Sequence, residues 1–267
     1  MRSLQWIGGW LVLCAMPLSA FAANGWEIID REDGIVVSVK EVEGRALPIF
    51  KGRAMVEAPI LEVLAVLDDT DKRSDWVKPC IEAKTLKFID DYNRVVYDRT
   101  AAPWPVSDRD VVVRSKVVVD LEKKSVHVGF HSDRTSTFPV PDGVVRMTRL
   151  KGFYHLVHKG DEKTEVTYQI DTDPAGMLPD WLIRLVSREI PKDTLGGLRR
   201  QVAKTWPSGV YGSFVAKWTA LQNEAQPEEG ASEPERGAPP VPAPVTAPAT
   251  APAPAPAGSP APAAVDE

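Results

Sequence analysis

The feature that most constrains the fold is a run of six strand-like segments between residues 85 and 173, joined mostly by short connections. The segments are rich in β-branched residues and are bounded by turn residues, a pattern typical of strands. Consecutive strands with hairpin links form an antiparallel meander, in which one face can be apolar while the other faces water. The predicted strands are residues 85–89, 94–102, 110–120, 125–132, 144–157 and 164–173.

Alternation along these segments identifies the apolar face, because successive side chains of a strand point to opposite faces. Each of the two clearest segments carries apolar or small residues on one face and mainly polar residues on the other. The apolar sets are Val111, Val113, Ser115, Val117 and Val119 in segment 110–120, and Val166, Tyr168 and Ile170 in segment 164–173. The sheet is therefore predicted to have one apolar face and one wet face.

Elements on both sides of the meander complete the predicted domain. Residues 35–42 and 50–57 have the pattern of two strands, and Pro59 opens a helix that ends at Asp68-Asp69. A short helical piece is expected to start at Ser74-Asp75, with Trp76 as a core anchor.

A long amphipathic helix is predicted over residues 179–204, and it alone is long enough to cover the apolar sheet face. Pro191 should bend it and Gly196-Gly197 should loosen the next turn, and a further short helix is expected within residues 206–221. The long helix is basic, which favours transient contact with an anionic membrane surface. Its basic residues are Arg184, Arg188, Lys192, Arg199, Arg200 and Lys204.

The two ends of the chain differ from the domain between them. Residues 1–22 read as an export signal with a charge at Arg2, an apolar run and a small-x-small cleavage pattern, so we expect a periplasmic or secreted protein. Residues 223–267 are rich in Pro and Ala and cannot bury enough apolar area to order themselves. Residues 23–222 then form one domain of ordinary size, whose single cysteine, Cys80, rules out an internal disulfide.

No pattern of catalytic or metal-ligating residues is present in the sequence. The four histidines, His127, His131, His155 and His158, lack metal-site spacing, and Cys80 lacks a nucleophile signature. The sequence has no Gly-rich phosphate loop, and the net charge of -5 argues weakly against nucleic acid. We therefore expect a binding protein and not an enzyme, a monomer, with no catalytic residue, metal or cofactor.

Two short stretches point to what is bound. Residues 103–110, PWPVSDRD, close one strand, and residues 173–179, DPAGMLP, close another and open the long helix. In each, Pro or Gly ends the strand while a large apolar residue, Trp104 or Met177, is held near the surface. This combination suits a gate over an apolar cavity better than a catalytic turn.

These stretches, in this order of elements, resemble the START family, the lipid-transfer domains related to the steroidogenic acute regulatory protein. The resemblance covers about residues 26–204 and rests on the Arg109-Asp110 strand start and the Asp-x-x-Gly-x-x-Pro run before the helix. It implies an α+β, helix-grip fold in which a curved antiparallel sheet wraps around the long C-terminal helix. It also implies an internal cavity for one lipid-like molecule.

The chain departs from the charged pair that some START proteins carry inside the cavity. The acid and arginine positions fall on Val96 and Ser115, while Arg114 points to the other face. The deep pocket is therefore expected to be mostly Val, Ser and Tyr. Asp98 is the acid able to face inward, either hydrogen-bonded or at the rim, because an unpaired buried carboxylate costs several kcal/mol.

The predicted function is noncovalent binding and transfer of one hydrophobic ligand, with Ser115 and Tyr168 orienting its polar head. The predicted gate is Trp104 and Met177. The predicted ligand-binding residues are Val96, Asp98, Val111, Val113, Ser115, Val117, Val126, Val128, Phe130, Tyr168, Leu182 and Leu185. Two alternatives remain at this level: a helix-grip enzyme of cyclase or hydrolase type, which would need Asp98 or Arg149 in the cavity, and an envelope interaction or sensory protein with a filled pocket.

Overall fold

The computed structural model describes residues 25–45, 47–176, 179–206 and 208–224, with the side chains of 180 and 184–188 left out. The ten strands are β1 (Glu27–Glu32), β2 (Ile35–Lys40), β3 (Ile49–Val56), β4 (Cys80–Phe88), β5 (Asn93–Thr100), β6 (Arg109–Asp120), β7 (Ser125–Ser132), β8 (Val145–Arg146), β9 (Arg149–Gly160) and β10 (Lys163–Asp173). The helices are α1 (Ile60–Asp68), a 3₁₀ helix (Thr70–Asp75), α2 (Asp180–Thr205) and α3 (Gly212–Glu224).

All ten described strands belong to one sheet, and nine of them follow the order β1-β2-β3-β10-β9-β7-β6-β5-β4, with every pair in this order antiparallel. The meander predicted from short connections is present, and β3 joins its last strand, with Gly52 opposite Tyr168. The predicted strand 144–157 is instead two elements, because β8 leaves the antiparallel order and pairs in parallel with β6. β1 is a strand that the sequence analysis did not predict.

Helix α2 packs on the apolar face of the sheet, as the periodicity predicted. Leu195, Leu198 and Val202 of this helix are fully or almost fully buried. Gly52 of β3 makes room for the helix, since a Cβ atom built there would lie 2.7 Å from Leu195 Cδ1 and 3.1 Å from Pro191 Cβ. Helix α2 therefore packs directly against the backbone of β3 at Gly52, where any side chain would collide with the helix.

The Gly196-Gly197 pair does not interrupt the long helix. Helix α2 is continuous from Asp180 to Thr205. A Cβ atom built on Gly197 would lie 1.9 Å from the carbonyl oxygen of Trp76, so this glycine serves close packing. Trp76 itself is 5% exposed and belongs to the main hydrophobic core, as predicted.

The segment before Trp76 also differs from its prediction. The short helix ends at Asp75 and does not start there. Its N-cap is Asp69, whose side chain accepts a hydrogen bond from the Lys72 backbone N–H at 3.3 Å. The Asp68-Asp69 pair, predicted only to end a helix, thus also begins the next one.

The outer face of the sheet is only partly wet. Val95, Tyr97 and Val112 form a separate buried cluster there, with Phe138 from the connection between β7 and β8 packed against it. Asp110 is completely buried on this face and receives two hydrogen bonds from Arg146, at 2.7 and 2.9 Å. The long connection covers part of a face that alternation had assigned to solvent.

Helix α3 confirms that a short helix follows α2, although it begins later than the predicted residue 206. Its Trp218 is 3% exposed and meets Tyr92 edge to face, with ring centroids 5.3 Å apart. Among residues 25–224, apart from the few left undescribed, no helix combines the length and apolar composition needed to cross a membrane.

Candidate ligand-binding cavity

Two adjoining pockets, called here the inner and outer chambers, lie on the inner face of the sheet, and described residues of α2 line the outer one. The inner chamber, about 150 Å³, is bounded by β5, β6, β7, β9, β10 and the segment from Arg73 to Cys80. The outer chamber, about 430 Å³, is bounded by residues 101–103, Pro174 and α2. The two share a wall made of Val77, Cys80, Thr100, Met147, Leu150, Tyr168 and Ile170.

Most of the predicted ligand-binding residues line these two chambers. The inner chamber has Val96, Asp98, Val111, Val113, Ser115, Val128, Phe130 and Tyr168 in its wall, and the outer chamber has Leu182 and Tyr168. Val117 and Val126 belong instead to the main core, where they pack in the same cluster as residues of α1. Met177 and the Leu185 side chain lie outside the described part of the chain.

The inner chamber has a charged wall that the sequence analysis did not anticipate. Arg73 Nη1 donates to both carboxylate oxygens of Asp98, at 2.8 and 2.9 Å. Burial lowers the pKa of Arg73, but the neighbouring Asp98 more than offsets this, and the pKa is raised overall. Asp98 does face inward, and its partner is a residue of the 3₁₀ helix, which no strand pattern could identify.

A second guanidinium, that of Arg94, also lies in the inner wall. Arg94 of β5 lies opposite Ser115 of β6, so its side chain points to the same inner face of the sheet. Arg94 is fixed by Asp68 at the end of α1, with its Nη2 2.6 Å from Asp68 Oδ1 and its Nη1 2.8 Å from the Asp68 carbonyl oxygen. Burial lowers the pKa of Arg94. The expectation of a pocket that is mostly Val, Ser and Tyr did not include these two arginines.

Neutral polar groups complete the inner wall. Tyr154 and Tyr168 stack with ring centroids 4.7 Å apart, and burial raises the pKa of both. Neither hydroxyl hydrogen-bonds to any residue that the structure describes. Burial, followed by the charge of Asp98, raises the pKa of the Cys80 thiol to about 11, so it is neutral at physiological pH and unsuited to nucleophilic attack.

The two stretches that the sequence analysis singled out border the outer chamber through Pro103, Arg109 and Pro174. Arg109 links them, because its guanidinium donates to the carbonyl oxygens of Ser107 and Pro174. Trp104 is 91% exposed and takes no part in the walls of either chamber. Trp181, in the first turn of α2, is also exposed. Two large aromatic side chains therefore face solvent beside the outer chamber.

The basic face of α2 is less free than its sequence suggested. Lys192 pairs with Glu32 and lies 4.0 Å from Asp30. Arg199 donates to the carbonyl oxygens of Met55, Asp33 and Gly34. These two side chains fasten α2 to β1, β3 and the β1–β2 turn, and the charge of Lys192 is offset by Glu32.

Comparisons with known proteins agree with this architecture. An uncharacterised protein of Pseudomonas aeruginosa is 31% identical over 184 residues, which are 68% of this chain and 89% of that one. START domain-containing protein 10 of Mus musculus is 26% identical over 170 residues, 62% of this chain but only 57% of that protein.

Solved structures show the same fold. The STAR-related lipid transfer protein fragment from Xanthomonas axonopodis matches with a TM-score of 0.62 and 32% identity, over 67% of this chain and 99% of that one. Human STARD10 matches with a TM-score of 0.63 and 22% identity, over 77% and 84%. A family model described as START domain matches residues 16–201. This chain belongs to the START domain family.

Proposed function

We propose that the protein binds one lipid-like molecule noncovalently in the two-chamber cavity and transfers it to or from a membrane. The observation that carries this proposal is a pair of adjoining, mainly apolar chambers, the inner one with a buried polar wall and the outer one bordered by residues of two loops. The similarity to the STAR-related lipid transfer protein of Xanthomonas axonopodis supports the same function.

The energetics are adequate for reversible binding. Burying about 300 Å² of apolar ligand surface at about 25 cal/mol per Å² contributes roughly 7 kcal/mol. Association and ordering costs reduce this, and close packing against the walls adds to it. Transfer requires binding that is not too tight, because the protein must also release the ligand.

The enzyme alternative lacks support from the residues that it would need. Asp98 is held by Arg73 through both oxygens, so it is not a free base. Arg149 is paired with Asp171 at 3.5 Å and is not among the described residues that line the chambers. The interaction or sensory alternative requires a filled pocket, whereas the inner chamber has about 150 Å³ of free space.

Export is part of the proposal and rests on residues 1–22 alone. A carrier between membranes of the cell envelope would use such a signal. Cell fractionation with N-terminal sequencing of the mature protein tests it, and a protein that retains residues 1–22 in the cytoplasm would contradict it.

Ligand binding is tested by placing a charge in the inner wall. Val113→Asp puts an unpaired carboxylate there, which we expect to abolish binding of the neutral dye Nile red and of lipid that co-purifies in native mass spectrometry. Val118→Asp is the matched control, because Val118 lies on the outer face of the same strand and is 47% exposed. Equal binding by the two folded variants would place the ligand elsewhere.

A further inference from the structure

We propose that the cavity selects a ligand whose head group is neutral and forms hydrogen bonds, and that it excludes anionic head groups. This inference rests on the proposed function. It concerns the charge balance of the inner chamber, which could not be predicted from the alternation of residues along the strands.

The charges of the inner wall already cancel. Among the described residues that line the chamber, the charged ones are Arg73, Arg94 and Asp98. Arg73 is neutralised by Asp98, and Arg94 is neutralised by Asp68, which lies just behind the wall. An anionic head group in this chamber would find no cation without a counter-charge, and a buried charge without a partner is strongly unfavourable.

Hydrogen-bonding capacity is nevertheless left over for a neutral ligand. Arg73 uses only Nη1 on Asp98, and its Nε and Nη2 have no acceptor in the described part of the chain. The Tyr154 and Tyr168 hydroxyls are likewise unengaged within that part and line the same chamber. A hydroxyl or carbonyl group can accept from Arg73 and exchange hydrogen bonds with a tyrosine, at no cost in net charge.

The dimensions limit the rest of the ligand. An inner chamber of about 150 Å³ is comparable to an engineered protein cavity that accepts benzene, so it has room for the head and one ring or a few carbons. The remaining apolar part would occupy the outer chamber of about 430 Å³. The ligand class is therefore a single-chain or small-ring alcohol or carbonyl compound, bound head first.

A matched pair of ligands tests the inference directly. 1-Dodecanol and dodecanoate differ only at the head, and at pH 8 the free acid is ionised. Calorimetry or displacement of Nile red should show about tenfold or greater preference for the alcohol. Asp98→Asn leaves Arg73 without its counter-charge, so this variant should reverse the preference towards dodecanoate.

Glu165→Gln is the control, because Glu165 makes the same kind of ion pair, with Arg53, on the outer face of β10. It should keep the wild-type preference. If Asp98→Asn does not fold, wild-type protein between pH 6 and 8 gives a second test. Dodecanoate affinity should fall about tenfold per pH unit while that of dodecanol stays constant, since only the protonated acid would be accepted. Cys80, Tyr154 and Tyr168, which also face the ligand, have raised pKa values and remain neutral over this range.

Two kinds of failure are distinguishable. Tighter binding of dodecanoate than dodecanol by wild type, or an unchanged preference in folded Asp98→Asn, overturns this inference and leaves the carrier function intact. Absence of binding of Nile red, dodecanol and dodecanoate alike overturns the proposed function itself.

Discussion

At the residue scale, two adjacent glycines of α2 differ in how much room a side chain would have. A side chain on Gly197 would collide with the Trp76 carbonyl oxygen, a backbone atom that cannot rotate away. A Cβ atom on Gly196 would meet Arg200 Nη1 at 3.2 Å, the far end of a flexible side chain. Close contact between α2 and the segment that carries Trp76 therefore depends on one of the two glycines.

We expect Gly197→Ala to destabilise the protein by about 2 kcal/mol or more, because the helix must move away from Trp76. Gly196→Ala should be neutral or stabilising by up to about 1 kcal/mol, since alanine is the better helix former. Urea unfolding of the two variants measures the difference. Equal destabilisation would mean that helix propensity, and not the contact with Trp76, decides the outcome.

At the element scale, the connection between β7 and β8 is attached to the sheet by the buried pair of Asp110 and Arg146. Arg146 also donates to the carbonyl oxygens of Phe138 and Pro139, at 3.1 Å each. One guanidinium thus joins the connection to β6, the strand that contributes Val111 and Val113 to the inner wall. The arrangement stabilises β6 from the face opposite the cavity.

Arg146→Met is expected to cost about 3–5 kcal/mol, because it leaves Asp110 buried without its partner. Lys123→Met, which removes an exposed ion pair with Asp120 in the β6–β7 turn, should cost less than about 1 kcal/mol. Thermal or urea unfolding compares them. A small effect at Arg146 would show that water reaches Asp110 in solution.

The loop between β5 and β6 presents Trp104 to solvent beside the outer chamber. If it enters the membrane interface, as tryptophan commonly does, Trp104→Ala should slow ligand transfer to vesicles and change its salt dependence. Stability should change by less than about 0.5 kcal/mol, since the side chain is exposed. Stopped-flow transfer to anionic vesicles is the measurement.

Phe88→Ala provides the control for Trp104, because Phe88 is a 70% exposed aromatic at the opposite end of the β4–β5 pair. Its transfer rate should match that of the wild type. If Trp104→Ala transfers ligand at the wild-type rate at every salt concentration, Trp104 has only a structural role in its loop.

At the scale of the whole molecule, the residues after α3 are predicted to be dispensable. Truncation after Glu224 should leave the melting temperature within about 2 °C and Nile red binding unchanged, because the Pro- and Ala-rich composition cannot form a core. Truncation after Thr205 is the contrast. It removes buried Trp218 and should cost about 3–5 kcal/mol. A large loss of stability in the protein that ends at Glu224 would contradict the prediction.

The sequence by itself determined most of the strands, the covering helix and much of the apolar cavity wall. Side chains of a strand alternate between faces, so Val111, Val113 and Tyr168 could be assigned inward from period two alone. The same period made Arg94 an inward residue, but this could be recognised only once its pairing with Ser115 was known.

Only the tertiary structure decided the polar wall, the fit of α2 and the covering of the outer face. Arg73 contacts Asp98, 25 residues later in the chain, because the 3₁₀ helix folds over the sheet. A local sequence pattern cannot predict such a contact. Gly197 and the Asp110 to Arg146 pair likewise depend on which backbone passes close by. Periodicity specifies the direction in which a side chain points, whereas long-range packing specifies the partner that it meets.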